Sequence, residues 1–174
     1  MLQRHFYTAG LAVRITVNLK MARTDKLSKL VALYNDLHIA LANIEDELAL
    51  QLCESWIKIR PTYAEPTGEH PRSALAIGME QGLRETPMLL KSLPTAMRVQ
   101  AAKALDLAIT THYPEFTEKE QARLENIKVR GRIRGESEFY LARHQVDVLE
   151  GDAQREQELR EWYALVDEFE ARGQ

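Results

Sequence analysis

The chain has one cysteine, Cys53, in 174 residues, which excludes an internal disulfide and any zinc site built from several thiolates. Cys53 sits in a helix-patterned stretch with Ile57 four residues on and no His or Lys one turn before it. That is the setting of a packed, inert thiol, not of a nucleophile. Glycine and proline are few, 8 and 6, and they gather between patterned stretches, so long uninterrupted elements are expected. No apolar run approaches the ~20 residues that span a bilayer.

The signatures of catalysis and metal binding are missing too. There is no HExxH, no GxSxG and no carboxylate-x-x-His pair of the kind that builds di-iron bundles. The stretch Gly78-Met-Glu-Gln-Gly82 lacks the lysine and hydroxyl of a phosphate loop. No catalytic residue, metal ligand or cofactor is predicted, and a non-catalytic protein is favoured.

What is present is charge, and its placement is uneven. The net charge of −3 makes the whole molecule a poor polyanion ligand. Residues 1–24 carry Arg4, Arg14, Lys20 and Arg23 and no acid. Residues 150–174 carry Glu150, Asp152, Glu156, Glu158, Glu161, Asp167, Glu168 and Glu170 against only Arg155, Arg160 and Arg172. The basic N-terminus lacks an unbroken apolar stretch and a small-residue cleavage site, so a cytoplasmic protein is expected.

Residues 11–20 alternate Val13, Ile15, Val17 and Leu19 with Arg14, Thr16, Asn18 and Lys20, a strand pattern. Met21 is a plausible alternative start, so residues 1–20 read either as a strand or as an extension ahead of the native chain. Residues 21–174 read as a single helical domain of about six helices. The strongest pattern runs over 25–60, where Leu27, Leu30, Tyr34, Leu37, Leu41, Ile44 and Leu48 recur at helical steps until Pro61. One helix of that length would span roughly 50 Å and would offer a heptad-like seam for a homodimer. An irregular loop with Pro61, Pro66, Gly68 and Pro71 follows.

Beyond the loop, the spacing predicts helices opening at Ser73, at Thr86-Pro87 and at Ser92 or Thr95. Another should begin at the capping box Thr117-Glu-Lys-Glu120, and two more should follow, one with Glu136 and Glu138 in its first turn and continuing until Gly151, the other after Asp152. Small residues at Gly78, Gly82, Ala101, Ala104 and Ala108 allow close helix crossings.

The segment 128–140 departs from this generic pattern. Lys128, Arg130, Arg132 and Arg134 fall within seven residues, with Gly131 and Gly135 either side of Ile133 and with Glu136, Glu138 and Tyr140 beyond. As extended chain it would turn its bases to one side and Val129 and Ile133 to the other. It could then pair with residues 12–19 as a minor two-stranded element. As helix it would carry two glycines, each costing about 1 kcal/mol relative to alanine. The glycines favour a chain break ahead of a helix whose first turn holds Glu136 and Glu138.

Two roles compete for these bases. Guanidinium groups recognise carboxylates and phosphates, with Tyr140 or Tyr113 as aromatic neighbours, or Glu136, Glu138 and the acidic last helix neutralise them internally. The leading expectation is a protein-interaction module of bacterial type, an adaptor or an immunity-like inhibitor, binding a protein partner through Lys128, Arg130, Arg132, Arg134, Glu136, Glu138 and Tyr140. A nucleic-acid-associated regulator using the same bases is the first alternative. An enzyme centred on His144, Asp147 and Tyr140 on one helix face is the second. The remaining histidines, His5, His38, His70 and His112, show no ligand spacing.

Overall fold

The computed structural model describes residues 25–173, which form seven α-helices. These are α1 (Lys26–Leu41), α2 (Glu47–Ala64), α3 (Arg72–Leu90), α4 (Thr95–His112), α5 (Pro114–Arg130), α6 (Glu136–Leu149) and α7 (Glu156–Arg172). A short 3₁₀ turn at Ala153–Arg155 precedes α7. No strand occurs among the described residues, and the main expectation, a mainly α-helical bundle, holds. Residues 12–19 lie outside the described residues. Their proposed partner segment, 127–134, is helical as far as Arg130 and then turns, so it is no strand.

The long helix expected over 25–60 is two helices. Asp25 caps α1 by accepting from the Ser28 amide at 3.0 Å, and Leu27, Leu30, Leu33, Leu37 and Leu41 are buried along one face. The chain then breaks at 42–46. Asn43 donates to the Ile39 carbonyl at 2.9 Å, and the Asp46 carboxylate accepts from the Leu48 and Ala49 amides at 2.8 and 3.4 Å, opening α2. Such side chain-to-backbone bonds compete with helix continuation. Ile44 kept the apolar spacing intact because it is buried within the turn itself. The leucine stripe packs within the chain against α2, α3 and α4, so it is not open as a dimer seam.

Other boundaries also moved. Pro61 lies inside the last turn of α2 and does not end it. Helix α3 runs unbroken through Thr86-Pro87, because Thr86 donates its hydroxyl to the Gly82 carbonyl at 2.9 Å and so does not cap a new helix. Proline at the first helical position starts α5 three residues before the predicted capping box, leaving Thr117 inside the helix with its buried hydroxyl unpartnered among the described residues.

The apolar interior has two parts. The larger joins α1, α2, α3 and α4 with Leu93, Tyr113 and Phe116. The smaller gathers Leu124 and Ile127 of α5, Ile133, Ala142, Val146 and Leu149 around Trp162 and Val166 of α7. Helix α6 touches α3, α4, α5 and α7 and ties the two together. Between them Arg98 meets Asp147 at 2.8 Å, both side chains nearly buried.

Candidate functional site

The basic segment forms the corner between α5 and α6. Helix α5 ends at Gly131, whose φ of +69° is a left-handed conformation that glycine adopts without penalty. Its amide closes the helix on the Ile127 and Lys128 carbonyls at 2.9 and 3.0 Å. Ile133 then enters the smaller core, fully buried, and Gly135 opens α6 in extended conformation. Arg172 at the end of α7 donates to the Ile133 carbonyl at 3.0 Å, so the last helix also holds this turn.

The expected chain break is therefore present, but it starts at Gly131. Because 128–130 are helical, Val129 and Ile133 do not share a face: Ile133 is buried and Val129 is 87% exposed.

The four bases divide into two pairs. Lys128 reaches α7, 3.5 Å from Glu158 and 3.8 Å from Glu161, and lies over the Trp162 ring. Arg130 pairs with Glu138 and donates to the Arg132 carbonyl at 3.0 Å. Glu138 in turn accepts from the Arg134 amide at 2.9 Å, satisfying a donor ahead of α6 as capping glutamates do. Lys128, Arg130 and Glu138 are thus parts of the corner's own construction. Arg132 and Arg134 are exposed, and among the described residues neither guanidinium has a carboxylate partner.

The remaining predicted residues lie close by with different tasks. Glu136 is exposed in the first turn of α6. The Tyr140 hydroxyl accepts from Lys91 at 2.9 Å, and that bond raises the lysine's pKa. Tyr113 is not a neighbour of the corner, since its hydroxyl donates to buried Glu80 at 3.0 Å.

The helix-face triad of His144, Asp147 and Tyr140 is not assembled. Asp147 is held by Arg98 and Tyr140 by Lys91, and no hydrogen bond joins His144 to either. His144 instead forms part of the wall of a cavity of about 240 Å³ between α3, α4, α5 and α6. Burial pulls its imidazole down to about 4, so it is uncharged at neutral pH. Asp106 of α4 shares this cavity, and burial raises its carboxyl pKa against the opposing charge of Arg155. Sequence periodicity gave no sign that the two residues line one cavity, because that follows only from packing α4 against α6.

The other polar groups have structural settings. Lys26, Arg84 and Lys119 surround Glu80. Burial alone would raise the Glu80 pKa, but hydrogen bonds from Lys26, Arg84 and Tyr113 outweigh it and bring it to about 2. His38 stacks on Tyr34 and Trp56, with its Nδ1 2.6 Å from the Tyr34 carbonyl. The Cys53 thiol donates to the His38 carbonyl at 3.3 Å, and burial raises its pKa, as an inert packed thiol requires. Among the described residues no group of side chains is arranged to hold a metal ion, and no helix is long and apolar enough to cross a membrane.

Comparison with protein-family models, curated proteins and solved structures gave no match to this chain.

Proposed function

We propose that this protein is a non-catalytic cytoplasmic interaction module, an adaptor or immunity-type blocker, that captures an acidic protein segment at the α5–α6 corner. One observation carries the reading. Val129, 87% exposed in the last turn of α5, lines a surface groove with Arg134, and Arg132 is exposed in the turn that follows; among the described residues neither guanidinium has a carboxylate partner. An apolar contact flanked by arginine forks suits a protein partner with one apolar side chain beside carboxylates. The corner is preorganised by Gly131, buried Ile133 and the Arg172 clamp, so little ordering cost opposes binding. Arg130 and Lys128 support the surface through their internal pairs and do not form its contact face.

A photo-crosslinking side chain at position 129 tests this in native lysate. The expected result is one dominant protein adduct, strongly reduced by Arg132→Ala with Arg134→Ala. Equal adducts from both forms would overturn the proposal. Preferential capture of duplex nucleic acid, with log affinity falling linearly in log salt, would replace it with the nucleic-acid reading.

A further inference from the structure

The cavity between α3, α4, α5 and α6 joins an apolar wall to one imidazole that has no partner. Leu105 and Ile109 of α4, Phe116 and Leu124 of α5, and Leu141 of α6 supply the apolar surface. At about 240 Å³ the cavity exceeds the roughly 150 Å³ that suffices for benzene in an apolar protein interior.

His144 of α6 is the polar group that this space leaves idle. Among the described residues the Thr117 hydroxyl is the one enclosed side-chain polar atom without a hydrogen bond. The ring nitrogens of His144 form none either among these residues, so they are not enclosed but open on the space that the ring lines. Burial keeps this imidazole uncharged, with a pKa of about 4. A neutral imidazole offers one N–H donor and one bare nitrogen that accepts.

The charges around the cavity set the sign of what it tolerates. Arg84, Arg123 and Arg155 line it against Asp106 and Glu120. Glu120 is shared by Arg84 and Arg123, at 3.4 and 2.5 Å, and Glu80 is shared by Lys26, Arg84 and Lys119. Arg155 is the charge that opposes Asp106. The excess is positive, which repels an ammonium group. A carboxylate would gain from that excess but would enter beside Asp106 and Glu120, and every lining arginine is already held by at least one carboxylate.

We infer that this cavity binds a compact uncharged phenol, its hydroxyl donating to the bare nitrogen of His144 and its ring against the leucine, isoleucine and phenylalanine wall. The hydrogen bond shifts negative charge onto the phenol oxygen, a change that the positive surroundings favour. The polar partner is what distinguishes this site from an apolar void. In such a void toluene outbinds phenol, because a hydroxyl that sheds water without gaining a new partner loses free energy.

An NMR titration of the full chain with phenol, toluene, benzylamine and benzoate tests this, read at the Leu105, Ile109 and Leu141 methyl groups and at the His144 ring nitrogens. Phenol should shift all of these signals saturably and bind at least about threefold more tightly than toluene, as one net hydrogen bond implies. Benzylamine should not bind, and benzoate should bind more weakly than phenol. His144→Phe should keep the apolar wall and reverse the order, placing toluene ahead of phenol. In the wild-type chain alone, toluene binding as tightly as phenol would overturn the inference, and so would tighter binding of benzoate or benzylamine. A lack of saturable shifts, as a cavity filled only by water would give, would also overturn it. So would a phenol preference that survives His144→Phe.

Discussion

At the residue scale, the basic segment shows how far charge can be interpreted before packing is known. Glu138 and the acidic last helix stood out in the sequence as internal partners, and the structure uses both. Lys128 goes to Glu158 and Glu161, and Arg130 to Glu138. Which two of the four bases would stay free was not legible, because that depends on the helix ending at Gly131 and not at Ile127. Glu80 was hidden for a related reason. In sequence it is one acid inside a glycine-bounded pentad, whereas in the fold it is the buried acceptor for Lys26, Arg84 and Tyr113.

Replacing Glu80 with Gln should therefore cost about 2 kcal/mol at neutral pH. This is less than the loss from a fully buried pair, because Lys26 and Arg84 keep some contact with water. The sign with pH follows from the lowered pKa. The carboxylate's contribution is complete above its ordinary 4.5 and is lost as pH falls from there through about 2. Urea titrations of both forms across this range should converge at the acid end. A difference that persisted unchanged near pH 2 would show that Glu80 acts through shape and not charge.

At the element scale, helix existence was readable and helix boundaries were not. Apolar spacing identified the material of α1, α4, α6 and α7, because each buries one face against its neighbours. It failed where a buried residue in a turn mimicked the next helical step, as at Ile44. It failed also where a cap-forming residue bonded backwards, as at Thr86. Gly131 is the boundary on which the proposed surface depends. A Cβ there would meet nothing within 4 Å, so the penalty for alanine is conformational alone. Gly131→Ala should cost about 1 kcal/mol, with Gly131→Asn less harmful because asparagine tolerates the left-handed region. Thermal unfolding ranks the three forms. Alanine equal to glycine would mean that this left-handed turn does not persist in solution.

At the scale of the whole molecule, the two-part interior raises the question of whether α6 and α7 fold with the rest. The chain's two tryptophans answer it, since Trp56 belongs to the larger core and Trp162 to the smaller, each almost wholly buried. The parts are joined by the packing of α6 on α3 and α4 and by the near-buried pair of Arg98 and Asp147. Opening the seam would expose the apolar faces that α6 packs on α3 and α4, so separate melting is opposed by the apolar term. Trp162→Phe leaves fluorescence to Trp56, and Trp56→Phe leaves it to Trp162. In each variant the fluorescence midpoint in urea should coincide with that variant's own helical circular dichroism midpoint, as a single cooperative transition requires. Arg98→Ala should lower both midpoints together, by about 3 kcal/mol, because it strands the buried Asp147 carboxylate. If Trp162 reported an earlier transition than Trp56, α6 and α7 would be a separable unit. The α5–α6 corner would then be held locally, by Gly131 and the Arg130–Glu138 pair, without support from the larger core.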